Sequence, residues 1–82
     1  MKIRFKSEQA RQEFSNCRAN VAIANYMGMD THEAYNHSNG DIGLVDDNNC
    51  GVIIPDPYIS GFDGWNAFIH MNERRYFIIE GE

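Results

Sequence analysis

The stretch from Ser7 to Gly28 constrains this chain most, because it predicts the one long helix that the sequence can form. Ser7 is a natural N-cap, and Glu8 places a negative charge in the first turn, where the helix dipole favours it. Gly28 supplies a residue on which helices often end. Apolar residues between them recur three or four positions apart, the spacing of one helix face: Ala10, Phe14, Cys17, Val21 and Ala24. We therefore predict a single helix over about 8–27.

Short apolar runs on both sides of this helix predict strands that pack against it. Lys2 to Lys6 alternates basic and apolar residues, as in a half-buried strand. Four later runs predict two hairpins, in which 42–45 pairs with 51–54 across an Asp/Asn-rich turn and 65–71 pairs with 75–80 across Asn72-Glu73. The last run is apolar on both faces, which predicts a central strand.

A second, shorter helix is predicted after Gly28. Asp30 can cap it, and Glu33 then stands at the third helical position, as in a capping box. This helix would span about 31–38, although Ala34 and Tyr35 are its only clear apolar residues. The element order is then β-α-α-β-β-β-β. It indicates one α+β domain, 1–82, with a mostly antiparallel sheet of about five short strands and the long helix on one face.

Charge is distributed unevenly along the chain, whose formal net charge is −5. The first 18 residues are basic, whereas residues 19–73 contain no Lys or Arg at all. That second run holds eight carboxylates, at Asp30, Glu33, Asp41, Asp46, Asp47, Asp56, Asp63 and Glu73. A negative field over one side of the protein would attract and hold basic partners.

The segment 55–65 places large aromatic residues between carboxylates. Tyr and Trp in such surroundings are frequent hot spots of protein interfaces. We therefore expect the partner-binding residues to be Asp46, Asp47, Asp56, Tyr58, Phe62, Asp63 and Trp65. Two plainer interpretations compete with this one: the aromatic residues fold into the core, and the acidity serves solubility alone.

No motif in the sequence predicts catalysis, a metal site or a cofactor. His32 and His37 are five residues apart, so on a helix they would point about 140° away from each other and could not share a metal ion. The segment Asp41–Asn49 offers oxygen ligands of the kind that Ca²⁺ prefers, but it lacks the EF-hand pattern. Cys17 and Cys50 are expected to be small buried hydrophobic residues rather than a disulfide or a zinc site.

These observations favour a small, non-catalytic protein-binding module. Its acidic surface would occupy the basic, nucleic-acid-binding surface of a larger protein, so that it acts as a modulator or inhibitor and a partial mimic of nucleic acid. Small free-standing proteins of this kind are often encoded by phages or mobile elements. Direct binding of nucleic acid is not expected, because only the N-terminal strand and the start of the helix are basic.

Other features bear on location and on the alternatives. No apolar run is long enough for a signal peptide or a membrane span, so a cytoplasmic location without membrane contact is expected. One alternative is a small enzyme or divalent-metal-binding module that uses Asp41, Asp46, Asp47 and a histidine. A second alternative is a homo-oligomeric structural protein, in the simplest case a homodimer.

Overall fold

An antiparallel sheet with helices on one face organises the protein, as seen in a computed structural model that describes residues 1–56, 61 and 63–81. The elements in chain order are β1 (Lys2–Phe5), α1 (Glu8–Phe14), α2 (Arg18–Met27), β2 (His32–Asn36), β3 (Ile42–Leu44), β4 (Ile53–Ile54), β5 (Trp65–Asn66), β6 (Phe68–Ile69), a 3₁₀-helix (Met71–Tyr76) and β7 (Phe77–Glu80). Within these residues, the main sheet has five strands in the order β6-β3-β2-β1-β7, and β4 pairs with β5 separately. The predicted α+β class with a mostly antiparallel sheet is confirmed.

The alternating sequence of β1 explains its position inside the sheet. Ile3 and Phe5 are fully buried on the helix-facing side, whereas Lys2 and Arg4 are exposed. β1 pairs antiparallel with β2 on one side and with β7 on the other. The prediction of a half-buried N-terminal strand is confirmed.

An aromatic cluster joins β1, α1 and β7 in the core. The ring of Phe5 stacks on that of Phe77, with centroids 4.5 Å apart, and meets the edge of Phe14 at 5.4 Å. Phe14 and Phe77 are also in edge contact, at 5.3 Å. Offset and edge-to-face pairs of this kind stabilise a core beyond the area that they bury. The cluster fixes α1 over β1 and β7, on one side of the five-stranded sheet.

The predicted single helix over 8–27 is wrong in one respect, because it breaks at residues 15–17. It begins as expected, since the Ser7 hydroxyl accepts a hydrogen bond from the amide of Ala10 at 3.0 Å. The Ser15 hydroxyl then donates to the carbonyl of Arg11 at 2.8 Å, and Cys17 adopts an extended backbone as the N-cap of α2. Ser and Asn side chains compete for backbone groups in this way, which makes them poor helix interiors. Gly28, with φ of +57°, ends α2 as predicted.

The break changes which residues of α2 face the core. Ile23, Ala24 and Met27 are buried against the sheet, together with the polar residue Asn20. Val21, which a continuous helix would bury, is instead 41% exposed. α2 therefore keeps an apolar face outside the core.

Asn20 holds the break together. Its side-chain nitrogen donates to the Phe14 carbonyl at 2.9 Å and to Glu73 Oε2, in the 3₁₀-helix, at 2.6 Å. Phe14 is the last residue of α1, and its carbonyl accepts from Asn20 as well as from the amide of Asn16, at 2.8 Å. Asn20 itself is 5% exposed.

Replacing Asn20 with alanine is expected to lower the free energy of unfolding by about 1–3 kcal/mol, because it removes two hydrogen bonds, one of them to a carboxylate, from a buried position. Asn25→Ala is the matched control: it is the same substitution in the same helix, at an exposed position. Its effect should stay within about 0.5 kcal/mol. Urea unfolding of both variants measures the difference. Equal stabilities would contradict a capping role for Asn20.

The second helix predicted over about 31–38 is wrong, because this segment forms β2. It pairs with β1 through Lys2 and Glu33 and with β3 through Ala34 and Leu44. A two-turn helix with few apolar residues is marginal on its own. Two neighbouring strands satisfy the backbone groups of the same residues on both sides, so tertiary pairing overrides the local capping signal.

The predicted hairpins are confirmed only in part. The Asp/Asn-rich turn forms, since Asp46 donates its amide to the Cys50 carbonyl at 2.8 Å and Val45 bridges Gly51. β4 then leaves β3 and pairs with β5. The second hairpin is wrong: residues 71–76 form the 3₁₀-helix instead of a turn, and β6 and β7 lie at opposite edges of the sheet. The last strand is therefore an edge strand and not a central one.

Both cysteines are exposed and free, which contradicts the prediction that they are buried. Cys17 lies at the helix break, where the apolar stripe is interrupted. Cys50 closes the turn that begins at Asp46, and its amide donates to Asp46 Oδ1 at 3.0 Å. Both cysteines are therefore exposed because of the local backbone, at a helix break and at a turn, although the thiol itself is hydrophobic.

Candidate functional site

Two grooves lie on either side of Tyr26, each with a volume of about 640 Å³. The first, called the acidic groove, is lined by Met1, Tyr26, Thr31, His32, Glu33, Ala34, Val45, Asp46, Asp47 and Asn49. The second, called the apolar groove, is lined by Arg18, Val21, Ala22, Asn25, Tyr26, Ile54, Pro55 and Asp56. Their volumes are within the range of typical ligand clefts.

A closed turn places Asp46 and Asp47 at the edge of the acidic groove. Asp46 Oδ1 accepts hydrogen bonds from the amides of Asn48 and Cys50, at 2.9 and 3.0 Å. Asn49 adopts φ of +62°, a conformation that Asn tolerates better than most residues. Both aspartates are exposed. The turn therefore presents their charges to solvent on a fixed backbone.

Glu33 supplies the third carboxylate of the acidic groove from β2. It stands opposite Lys2 of β1, and Glu33 Oε1 lies 3.7 Å from Lys2 Nζ. The two side chains are 56% and 60% exposed, so this ion pair is solvated and contributes little stability. Glu33 can exchange Lys2 for another cation at small cost.

Two further polar groups of the acidic groove, the Met1 ammonium and the His32 ring, bind backbone carbonyls. The amino nitrogen of Met1 donates to the Ala34 carbonyl at 3.3 Å. His32 Nε2 lies 2.9 Å from the Met27 carbonyl, which requires the proton on that nitrogen. The ring of Tyr26 packs 5.4 Å from that of His32. The rings of Tyr26 and His32 therefore form one wall of the acidic groove, next to its carboxylates.

The apolar groove owes its shape to the helix break. Val21 and Tyr26 of α2 point away from the core and are 41% and 44% exposed. Ile54 of β4 and Pro55 supply the facing wall. This leaves a strip of hydrophobic surface between α2 and the end of β4.

An ion pair with a shared acceptor closes one end of the apolar groove. Arg18 binds Asp56 through two bonds, from Nε to Oδ2 at 2.7 Å and from Nη2 to Oδ1 at 3.1 Å. Trp65 Nε1 also donates to Asp56 Oδ2, at 3.2 Å. The Asp56 side chain is only 8% exposed. The positive charge of Arg18, which precedes the base-free run 19–73, therefore compensates the Asp56 carboxylate.

The predicted partner-binding residues are thus divided between several places. Asp46 and Asp47 line the acidic groove, and Asp56 lies at the end of the apolar groove. Asp63 is exposed and Trp65 is half-buried. The positions of Tyr58 and Phe62 lie outside the described residues.

The lining residues that the sequence did not predict include Val21, Tyr26 and Glu33. The predicted helix over about 31–38 contains Glu33, whereas the structure places Glu33 on β2, in the same groove as Asp46. Val21 was assigned to the buried stripe of a continuous helix. One sequence signal could have revealed the apolar face of α2 that lies outside the core. Ser15 and Asn16 are adjacent, and such residues tend to interrupt helices.

Two of the three carboxylates in the segment Asp41–Asn49, those of Asp41 and Asp46, accept hydrogen bonds within the fold. Asp41 Oδ1 accepts from the amide of Met71 at 2.9 Å, and Oδ2 accepts from Asn39 Nδ2 at 3.2 Å. Asp46 binds two amides of its own turn. Among the residues that the structure describes, no group of three or more His, Cys, Asp or Glu side chains is arranged to hold a metal ion.

Neither a family model, nor a curated protein, nor a solved structure matches the chain. In the described part of the chain, neither helix has the length and apolar character needed to cross a membrane.

Proposed function

We propose that this protein is a small, non-catalytic binding module that occupies a basic surface of a larger protein, and that the acidic groove is its contact. The observation that carries the proposal is the convergence of Glu33, Asp46 and Asp47 on one groove. They come from two separate parts of the chain and are solvent-exposed. Such an arrangement favours positively charged ligands and steers their approach.

A nucleic-acid-binding site is the basic surface that this groove fits best. Such sites present Lys and Arg for phosphates that are spaced regularly along a strand. Three carboxylates on a fixed turn and strand can take the place of phosphates, while Tyr26 and His32 offer rings beside them. The protein would then act as a modulator or inhibitor that competes with nucleic acid for its partner.

A pull-down from cell lysate tests the proposal. The tagged protein is washed at low salt and then at about 1 M salt, where the Debye length falls to about 3 Å. We expect one basic partner that is retained at low salt, released at high salt and displaced by added nucleic acid. A partner that remains bound at high salt, or the absence of any salt-sensitive partner, would contradict the proposal.

A further inference from the structure

The apolar groove lies directly beside the acidic groove, and Tyr26 lines both. The Tyr26 side chain is 44% exposed, so a ligand that crosses from one groove to the other passes over its ring. Two clefts with a common lining residue are close enough for one extended or helical peptide segment to contact both. The two surfaces are therefore parts of one binding face.

The charges of the two grooves differ in a way that specifies their occupant. Arg18 and Asp56 neutralise each other through two hydrogen bonds, so the apolar groove carries no net charge from this pair. Val21 and Ile54 then make its walls hydrophobic. The carboxylates of Glu33, Asp46 and Asp47 stand on the other side of Tyr26. A complementary ligand is apolar at one end and basic at the other.

We propose that the two grooves together bind a peptide segment of a partner protein in which a cluster of apolar side chains stands next to a cluster of Lys and Arg. The apolar cluster fills the space between Val21 and Ile54, and the basic cluster contacts Glu33, Asp46 and Asp47. This inference rests on the proposed function, and it adds that charge alone does not define the partner. Amphipathic segments that dock in grooves are a common mode of peptide recognition.

Two synthetic probes separate the apolar contribution from the electrostatic one. The first is a fluorescein-labelled peptide with a leucine cluster followed by a lysine cluster. The second has the same lysines, with serine in place of each leucine. Fluorescence anisotropy with the full chain measures both affinities, and backbone NMR shifts report which groove each probe occupies.

Val21→Gln is the informative variant, because it removes an exposed apolar side chain and keeps a good helix former. We expect it to weaken binding of the leucine-containing probe about tenfold, the effect of losing the burial of one valine side chain, without changing the binding of the serine probe. Met71→Gln is the matched control, since Met71 is 61% exposed and lines neither groove. It should leave both affinities unchanged.

The possible outcomes separate this inference from the proposed function. Equal affinities for the two probes, both insensitive to Val21→Gln, would overturn the inference, while a salt-sensitive partner in the pull-down would still support the acidic contact. Failure of the leucine probe to bind at all would also overturn it. A second copy of this chain is the alternative occupant, and sedimentation of the protein alone tests it by measuring the oligomeric state. A dimer that Val21→Gln dissociates would overturn the peptide proposal.

Discussion

Replacing Phe5 with alanine is expected to lower the free energy of unfolding by about 3–5 kcal/mol, the usual cost of removing a buried phenylalanine. Phe5 is fully buried and contacts the rings of both Phe14 and Phe77. Natural domains have a total stability of about 5–15 kcal/mol, so this single change removes a large part of it. Urea unfolding, followed by circular dichroism, measures the loss.

Phe68→Ala is the matched control for this prediction. It removes the same side chain from another strand of the same sheet, but Phe68 is 40% exposed. Its cost should be about 1–2 kcal/mol, because Phe68 buries only part of its ring, in contact with His37. If both variants lost the same stability, the aromatic cluster could not be the centre of the core.

Neutralising the acidic groove is expected to have the largest effect on function. The variant Glu33→Gln, Asp46→Asn and Asp47→Asn should weaken binding of the captured partner about 10- to 100-fold. This range follows from about 0.5–1 kcal/mol for each of three exposed ion pairs. Asparagine keeps the Oδ1 that accepts hydrogen bonds from Asn48 and Cys50, so the turn should stay intact. Isothermal titration calorimetry with the purified partner measures the dissociation constant.

The control is a variant with the same change in net charge at other sites. Glu8, Glu13 and Glu80 are exposed and line neither groove, and their replacement by Gln removes three negative charges as well. This control should bind the partner within about twofold of the wild type, because the Debye length of about 8 Å at physiological salt limits distant effects. Equal weakening by both variants would show that net charge, and not the groove, determines affinity.

Asp56 is unsuitable for such a charge test, although the sequence places it among the partner-binding residues. Its carboxylate accepts bonds from both Arg18 and Trp65. Replacing it would disturb the end of the apolar groove as well as remove a charge. A loss of binding by Asp56→Asn would therefore not distinguish contact from structure.

Local signals in the sequence predicted the elements that depend on local chemistry. The Ser7 cap, the end of α2 at Gly28 and the alternation of β1 each follow from residues that are adjacent in the chain. β2 could not be predicted in the same way, because its strand conformation comes from pairing with β1 and β3. The capping signal at Asp30 to Glu33 is real as a pattern, but long-range pairing outweighs it.

The candidate site was predictable to a similar extent. The sequence predicts Asp46 and Asp47 correctly as exposed residues, because an Asp/Asn-rich turn lies at the surface whatever its position in the fold. Glu33 joins them only when residues 32–36 form a strand, and Asp56 is neutralised by Arg18 from 38 positions away. Such juxtapositions depend on the tertiary fold, which a pattern in one stretch of sequence does not contain.

The most direct test of the central claim is a displacement titration with the captured partner and its fluorescently labelled nucleic acid. The wild-type protein is added to the preformed complex, and fluorescence anisotropy reports the bound nucleic acid. We predict complete release by the wild type, with about 10- to 100-fold more of the acidic-groove variant needed for the same release. If the nucleic acid stays bound while the partner is saturated with this protein, the two ligands use different sites, and the account of a nucleic-acid mimic is contradicted.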